Sequence, residues 1–229
     1  MKKLFYASLI LLSLSQTSCT MMVKGLVKAV VKGYDNYTDM NVSSFQLADQ
    51  QGKKHTFASL YAGKTVYFYI WSTLSNRPPG EKNKDYTALK KRFAKYPDVV
   101  FADFYIGTDQ AAWTADEQKN AGQNSYFLVQ DAASENFLSV LKESTMVPFI
   151  TGTDGKMLVF KGPKPNDDTL VDYVLYEARN GIDGTTSARK LVRGVNSNEK
   201  FKTQELKDWY SGHFNRSPEH VNFSVSSTQ

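Results

Sequence analysis

Cysteine is nearly absent from this chain of 229 residues, which contains only one, Cys19. A single cysteine cannot form an intramolecular disulfide, and no spacing of cysteine and histidine in the sequence suits a tetrahedral zinc site. We therefore expect no metal and no cofactor. The apolar content of 41% allows one good hydrophobic core, so the sequence predicts one domain with appended segments.

Net charge is also low. The formal charge is +5, and leaving out the two charges of Lys2 and Lys3 reduces it to +3 for the chain from Cys19 onward. The remaining basic residues are scattered along the sequence, whereas nucleic-acid binding requires a concentrated basic surface. We therefore expect no nucleic-acid partner.

The first 18 residues have the pattern of an export signal. Lys2 and Lys3 precede an apolar run from Leu4 to Leu14, and small and polar residues then lead to Cys19. A cysteine at this point resembles the lipobox of bacterial lipoproteins, which implies that Cys19 is acylated; Gln16 departs from the apolar residue usual there. The alternative is an ordinary cleaved signal in which Cys19 is incidental. The resemblance implies a lipid-anchored protein of the cell envelope, in the outer membrane facing the periplasm.

An amphipathic segment follows the signal. Between Met21 and Lys32 five apolar residues recur at helical spacing, and lysines four positions apart lie on the opposite side: Lys24, Lys28 and Lys32. Such a helix could lie on an anionic bilayer beside the lipid anchor, or it could pack on its own domain. The sequence from Tyr34 to Ser43 is typical of a linker, so residues 19–43 form a lipidated N-terminus, an amphipathic segment and a linker.

Residues 44–180 alternate between strand and helix patterns. This order predicts an α/β fold with a mixed sheet. The predicted strands are Phe45–Ala48, Lys54–Phe57, Thr65–Ile70, Val99–Ile106, Tyr126–Val129, Thr145–Ile150 and Met157–Phe160. The predicted helices are Glu81–Tyr96, Asp109–Asn120, Ala132–Glu143 and one that Asn166 caps and that ends near Arg179. Residues 181–229 form a polar C-terminal extension with one predicted helix, Asn198–Tyr210.

The stretch from Gly63 to Gly80 is the most informative. A buried strand closes at Trp71, and a polar loop then leads to two prolines and a helix. This layout resembles the active-site segment of the thioredoxin-like superfamily, in its membrane-anchored thiol-disulfide oxidoreductase and peroxiredoxin-like branch. The resemblance implies a three-layer α/β/α sandwich with a mixed central sheet and an N-terminal hairpin. It also implies cysteines at Ser75 and Pro78, and neither position is a cysteine; a shifted frame gives Ser72 and Ser75.

A second match to this family lies further along the chain. Val147 and Pro148 stand where the resemblance implies a cis peptide that faces the active-site loop. The implied binding face is made of Trp71, Ser75, Asn76, Arg77, Pro78, Val147 and Pro148. Arg77 is the candidate to contact an anion or the backbone of a partner, with a solvated loop charge as the alternative.

The sequence offers no catalytic residue in place of the thiols. A serine is too weak an acid to replace a cysteine without a nearby base. His55, His213 and His220 belong to no recognisable Ser-His-Asp arrangement, and we expect all three on the surface.

We therefore expect a redox-inactive lipoprotein that acts as a binding or assembly module in the bacterial envelope, with a protein or peptide partner. One alternative is a thiol-disulfide oxidoreductase or peroxiredoxin-like accessory protein. Another is a structural lipoprotein that acts through its C-terminal extension.

Overall fold

The computed structural model describes residues 34, 37–72, 83–120, 124–141, 147–196, 198–219 and 221, with the backbone alone at 116 and 118–120. The strands are β1 (Gln46–Ala48), β2 (Lys54–Thr56), β3 (Thr65–Trp71), β4 (Val99–Tyr105), β5 (Ser125–Leu128), β6 (Pro148–Thr151) and β7 (Met157–Val159). The helices of the described part are α1 (Phe57–Tyr61), α2 (Lys84–Phe93), α3 (Gln110–Asn120), α4 (Glu135–Leu141), α5 (Leu170–Ala178), α6 (Gly184–Arg193) and α7 (Gln204–Phe214).

The strands form one mixed sheet in the order β2-β1-β5-β4-β3-β6-β7. Strands β3, β4 and β5 run parallel, β6 runs antiparallel to β3, and the hairpins β1–β2 and β6–β7 form the two edges. All seven residues of β3 are buried, as expected for a central strand rich in β-branched and aromatic residues. The pairing of Trp71 with Tyr105 aligns the carboxyl ends of β3 and β4.

Helices cover both faces of this sheet because successive side chains of β3 point to opposite sides. Phe68 packs on one face with Phe57 of α1 and Phe137 of α4. Tyr69 faces the other side, in a cluster with Tyr86 of α2 and with residues of α5, α6 and α7. The predicted three-layer α/β/α sandwich with a mixed sheet and an N-terminal hairpin is confirmed.

Helix α2 begins later than predicted. The prediction ran from Glu81 to Tyr96, but the side chain of Asn83 accepts hydrogen bonds from the backbone N–H groups of Asp85 and Tyr86, each at 3.0 Å. An asparagine that bonds in this way is an N-cap, so α2 spans Lys84–Phe93.

Helix α5 also begins later than predicted. Thr169 precedes its first residue with a φ of 65° and makes no capping hydrogen bond through its side chain. The carboxylate of Asp167 instead accepts a hydrogen bond from the N–H of Lys164 at 2.6 Å and turns the chain before the helix. The predicted cap at Asn166 is therefore wrong.

The C-terminal region shares the core of the domain. Leu191 of α6 and Leu206 and Trp209 of α7 pack in the same cluster as Tyr173 of α5. Helix α6 was not predicted, and α7 begins at Gln204 because Thr203 provides its N-cap. The division that the sequence suggested at residue 180 is therefore not a boundary between separate cores, because the two helices that follow it pack on the domain.

The residues predicted to be a linker line the sheet edge. Tyr34 and Val42 are buried, and the carbonyl oxygens of Tyr34 and Met40 accept hydrogen bonds from the N–H groups of Phe160 and Met157 at 3.1 and 2.8 Å. These contacts cover β7, an edge strand whose free polar groups would otherwise be open to other chains. The described residues between 34 and 43 are therefore part of the domain, and the prediction that they form a linker is wrong.

The signal, Cys19 and the amphipathic segment lie outside the described residues. Within the described ranges, no helix has the length and apolar character needed to cross a bilayer.

We predict that the protein loses stability as the pH rises above about 10, the ordinary pKa of tyrosine. Burial raises the pKa of Tyr34, Tyr61 and Tyr67, and raises the pKa of Tyr173 to about 12. A raised folded-state pKa stabilises the fold fully below the unfolded value, and this contribution is lost as the pH rises through the folded value.

The measurement follows tyrosinate absorbance and far-ultraviolet circular dichroism together during an alkaline titration. A large part of the tyrosinate signal should appear only as the helical signal is lost. Complete ionisation near pH 10 in a protein that is still folded would contradict the prediction.

Candidate functional site

The candidate site lies where the parallel strands end. Trp71 is the last residue of β3, and Pro148 is the first residue of β6, where it pairs with Tyr69. This antiparallel register brings Val147 and Pro148 next to the carboxyl end of β3. Ligands commonly bind at this end of open α/β sheets. The structure thus brings together the two sequence matches that lie about 75 positions apart in the chain.

Trp71 is held inside the protein. Its ring is 5% exposed and meets the ring of Tyr105 edge-on at 4.8 Å. The indole Nε1 donates a hydrogen bond to Oδ2 of Asp103 at 3.0 Å, and the hydroxyl of Ser125 donates to the same oxygen at 3.0 Å. Trp71 therefore fixes the end of β3 against β4 and β5, and its ring is not an open platform for a ligand.

The peptide bond between Val147 and Pro148 is trans, since no peptide bond among the described residues is cis. The predicted cis bond is therefore wrong. Pro148 opens a regularly paired strand, and its carbonyl oxygen accepts a hydrogen bond from the N–H of Gly162 at 2.7 Å. Proline has no N–H group to donate to a neighbouring strand, and the first position of a strand tolerates this. Pro148 therefore fits its position with a trans peptide bond.

The other predicted binding residues, Ser75, Asn76, Arg77 and Pro78, lie outside the described residues, as does Cys19. The described part of the site contributes Trp71, Val147, Pro148 and the polar pair Asp103 and Ser125. The sequence did not predict Asp103 and Ser125 as site residues, because their hydrogen bonds near Trp71 depend on the register of three neighbouring strands. In the described ranges, no group of three or more potential metal ligands comes together.

A second polar cluster joins α2, α5 and α7. The fully buried carboxylate of Asp172 accepts two hydrogen bonds from Arg92, from Nε at 2.6 Å and from Nη2 at 2.7 Å. It also lies 2.7 Å from Nε2 of His213, whose Nδ1 lies 3.1 Å from the hydroxyl of Tyr96. His213 is buried, so the prediction that it lies on the surface is wrong. The apolar spacing of Leu206, Trp209 and Tyr210 on α7 was the available signal, because it places His213 on the same face.

The order of Asp172, His213 and Tyr96 is that of a catalytic relay, but the ionisation of the tyrosine argues for a structural role. Burial raises the pKa of Tyr96, so its hydroxyl gives up a proton less readily than that of a free tyrosine. A nucleophile would need the opposite shift. The bonds of Asp172 to Arg92 and to His213 join α5 to α2 and to α7, so the cluster holds these three helices together.

We predict that Asp172→Asn destabilises the protein by about 3–5 kcal/mol, because it removes the charge that pairs with the partly buried Arg92 and leaves it only the more distant Asp168, at 3.7 Å. Chemical denaturation gives the free energy of unfolding. The control is Asp208→Asn, an exposed aspartate on α7, which should change that energy by less than about 0.5 kcal/mol. Equal small effects of the two substitutions would show that the cluster contributes little to stability.

The strand order defines the class of protein. A parallel β3–α2–β4 unit lies beside an antiparallel β6–β7 hairpin, and α5 closes the unit on the same face of the sheet as α2. This is the arrangement of the thioredoxin-like fold. Neither a protein-family model nor a curated protein matches the sequence.

Several solved structures are similar to this chain. One is a candidate thiol-disulfide oxidoreductase from Bacteroides vulgatus, with 21% identity and a TM-score of 0.43, covering 57% of this chain and 83% of that one. A thiol-disulfide oxidoreductase from Bacteroides fragilis has 16% identity and a TM-score of 0.43, covering 62% and 95%. BsSco, a member of the Sco family of cytochrome c oxidase assembly proteins, has 18% identity and a TM-score of 0.42, covering 67% and 96%.

Proposed function

We propose that this protein is a redox-inactive, thioredoxin-like lipoprotein that serves as a binding or assembly module in the bacterial cell envelope. One observation carries the proposal. The central strand β3 ends at Trp71, as the family requires, yet no cysteine follows Cys19 anywhere in the sequence. Thiol-disulfide exchange proceeds through a thiolate, and this chain has none to offer at the end of β3.

The helix that would activate a thiol is also displaced. In a dithiol site the N-terminus of a helix lowers the pKa of the reactive cysteine. Here α2 begins at Lys84, nine positions after Ser75, and Asn83 occupies the N–H groups of its first turn. The environment that would favour an anion at Ser75 is therefore not built by α2.

No described histidine is placed to act as a base for a serine in this loop. His55 lies on β2, four strands from β3 in the sheet, which corresponds to about 19 Å at the usual strand spacing. Both ring nitrogens of His213 are engaged, by Asp172 and by Tyr96. These positions favour recognition over nucleophilic catalysis.

We propose a protein or peptide as the partner. The loop after Trp71 carries Ser75, Asn76 and Arg77, side chains that hydrogen-bond to backbone or to carboxylates. Val147 and Pro148 lie beside the carboxyl end of β3, from which this loop departs. An anchor at Cys19 would keep this face in the envelope, where the partner would be met.

A second candidate, a structural lipoprotein that acts through its C-terminal region, is supported by a groove. It has a volume of about 630 Å³, lies between α5 and α7, and is lined by Tyr96, Tyr176, Asp208 and Trp209 among others. Deletion of the C-terminal region would remove core residues, so substitution of the exposed Asp208 is the better way to test this groove. Loss of partner capture in such a variant would favour the second candidate.

We predict that the purified protein does not reduce a disulfide substrate when a dithiol is supplied as reductant. The double change Ser75→Cys with Pro78→Cys should restore at most weak activity, because Pro79 and the late start of α2 keep the helix N-terminus away from the new thiols. The measurement is turnover of a disulfide-bonded protein, with a dithiol oxidoreductase as the positive control.

Turnover by the unmodified protein would overturn the binding-module proposal. Full activity of the double-cysteine variant would leave the fold intact but refute a remodelled loop.

We predict that Cys19 carries the lipid anchor, so Cys19→Ala should leave the protein unprocessed or release it from the membrane fraction. Mass spectrometry of the N-terminal peptide of the native protein checks this directly. An unmodified Cys19, or a mature N-terminus at another residue, would refute the anchor.

A further inference from the structure

A basic pocket lies between the exposed face of α6 and the start of α7. It has a volume of about 520 Å³, and the charged and hydroxyl side chains of its lining are Thr186, Arg189, Lys190, Arg193, Thr203 and Glu205. We propose that this pocket binds the phosphoryl headgroups of an anionic bilayer and holds the domain against the membrane. The proposal rests on the lipid anchor of the proposed function for its choice of ligand, and on the pocket itself for the chemistry.

The solvent face of α6 is a basic stripe. Thr186, Arg189 and Arg193 are exposed and Lys190 is half-buried, at the spacing of one helix face. Lys190 is already paired, at 2.7 Å from Glu205 and 3.6 Å from Glu177.

Arg189 and Arg193 form no ion pair with any described residue. Like charges four positions apart on a helix repel one another. An external anion bound between the two guanidinium groups would relieve this repulsion.

Arginine is well suited to that anion. Its planar guanidinium matches two phosphoryl oxygens at once, and it is less strongly hydrated than lysine. The hydroxyls of Thr186 and Thr203 border the same pocket and can donate further hydrogen bonds. The N-terminus of α7, an eleven-residue helix, opens toward this lining and adds a partial positive charge.

The position of the pocket points to a membrane rather than to a free anion. Tyr34, the first described residue, packs against Gly184 at the start of α6. A methyl group added at Gly184 would lie 3.4 Å from the Cβ of Tyr34. A ten-residue helix is about 15 Å long, so Arg193 lies about that far from the point where the chain joins the domain.

The tether is short. Tyr34 follows Cys19 by 15 positions in the sequence, and even a fully extended chain of that length spans only about 50 Å. Lys24, Lys28 and Lys32 lie between Cys19 and Tyr34 in the sequence. Tyr34 and the unpaired arginines lie along the same helix within about 15 Å of one another, so a membrane that holds the chain ahead of Tyr34 would also lie near the arginines.

The test measures vesicle binding by the mature chain from residue 19, with Cys19→Ser so that no acyl chain contributes. The vesicles contain phosphatidylglycerol in phosphatidylcholine, with pure phosphatidylcholine as the neutral reference. The chain should bind only the anionic vesicles. Arg189→Gln with Arg193→Gln should weaken this binding about five-fold for each charge removed.

The matched control is Lys53→Gln with Lys54→Gln. It removes the same charge from exposed residues at the opposite edge of the sheet, beside β2, and it should leave binding nearly unchanged. An equal loss in both double variants would show attraction by net charge alone. An unchanged affinity in the arginine variant would assign binding to residues 21–32. Either result overturns the proposal.

Inorganic phosphate serves as the probe for a soluble ligand. Arginine-dependent binding of phosphate without vesicle binding would make the pocket a site for a free phosphorylated molecule and would also overturn membrane docking. The outcome is separable from the proposed function, because disulfide turnover and the modification of Cys19 are measured on other parts of the chain.

Discussion

The burial of β3 is the constraint on which the rest of the structure depends. A strand covered on both faces and paired on both edges exposes no side chain to water, so each of its residues requires a partner from another element. Phe68 requires the layer of α1 and α4, while Tyr69 requires the layer of α2 and α5. The parallel neighbour β4 and the antiparallel neighbour β6 then fix which chain ends meet beside Trp71.

A buried carboxylate imposes a second requirement. Asp172 is fully buried, and an unpaired charge in that position would be strongly unfavourable. Arg92 and His213 satisfy it from two other helices. Since α7 supplies one of these partners, the C-terminal region cannot be separated from the domain without exposing the charge. The two helices after residue 180 thus belong to the core of the domain.

These helices also change what the molecule presents to its surroundings. The end of β3 is fixed by the bond between Trp71 and Asp103, and it is the surface at which we propose recognition of a partner. The added α6 turns two unpaired arginines outward near Tyr34, where the chain arrives from its proposed anchor. Recognition at one end of the sheet and attachment near β7 would use different surfaces, so one need not interfere with the other.

The sequence by itself determined the order of the seven strands, the central strand and the lack of a dithiol. These follow from periodicity, turn chemistry and composition, which act over a few residues. Only the tertiary structure decided that His213 is buried and that the residues after Tyr34 line a strand. The partners responsible lie far apart in the chain, 41 positions for His213 and Asp172. The energy of such a pair depends on burial and distance, and a local pattern specifies neither of them.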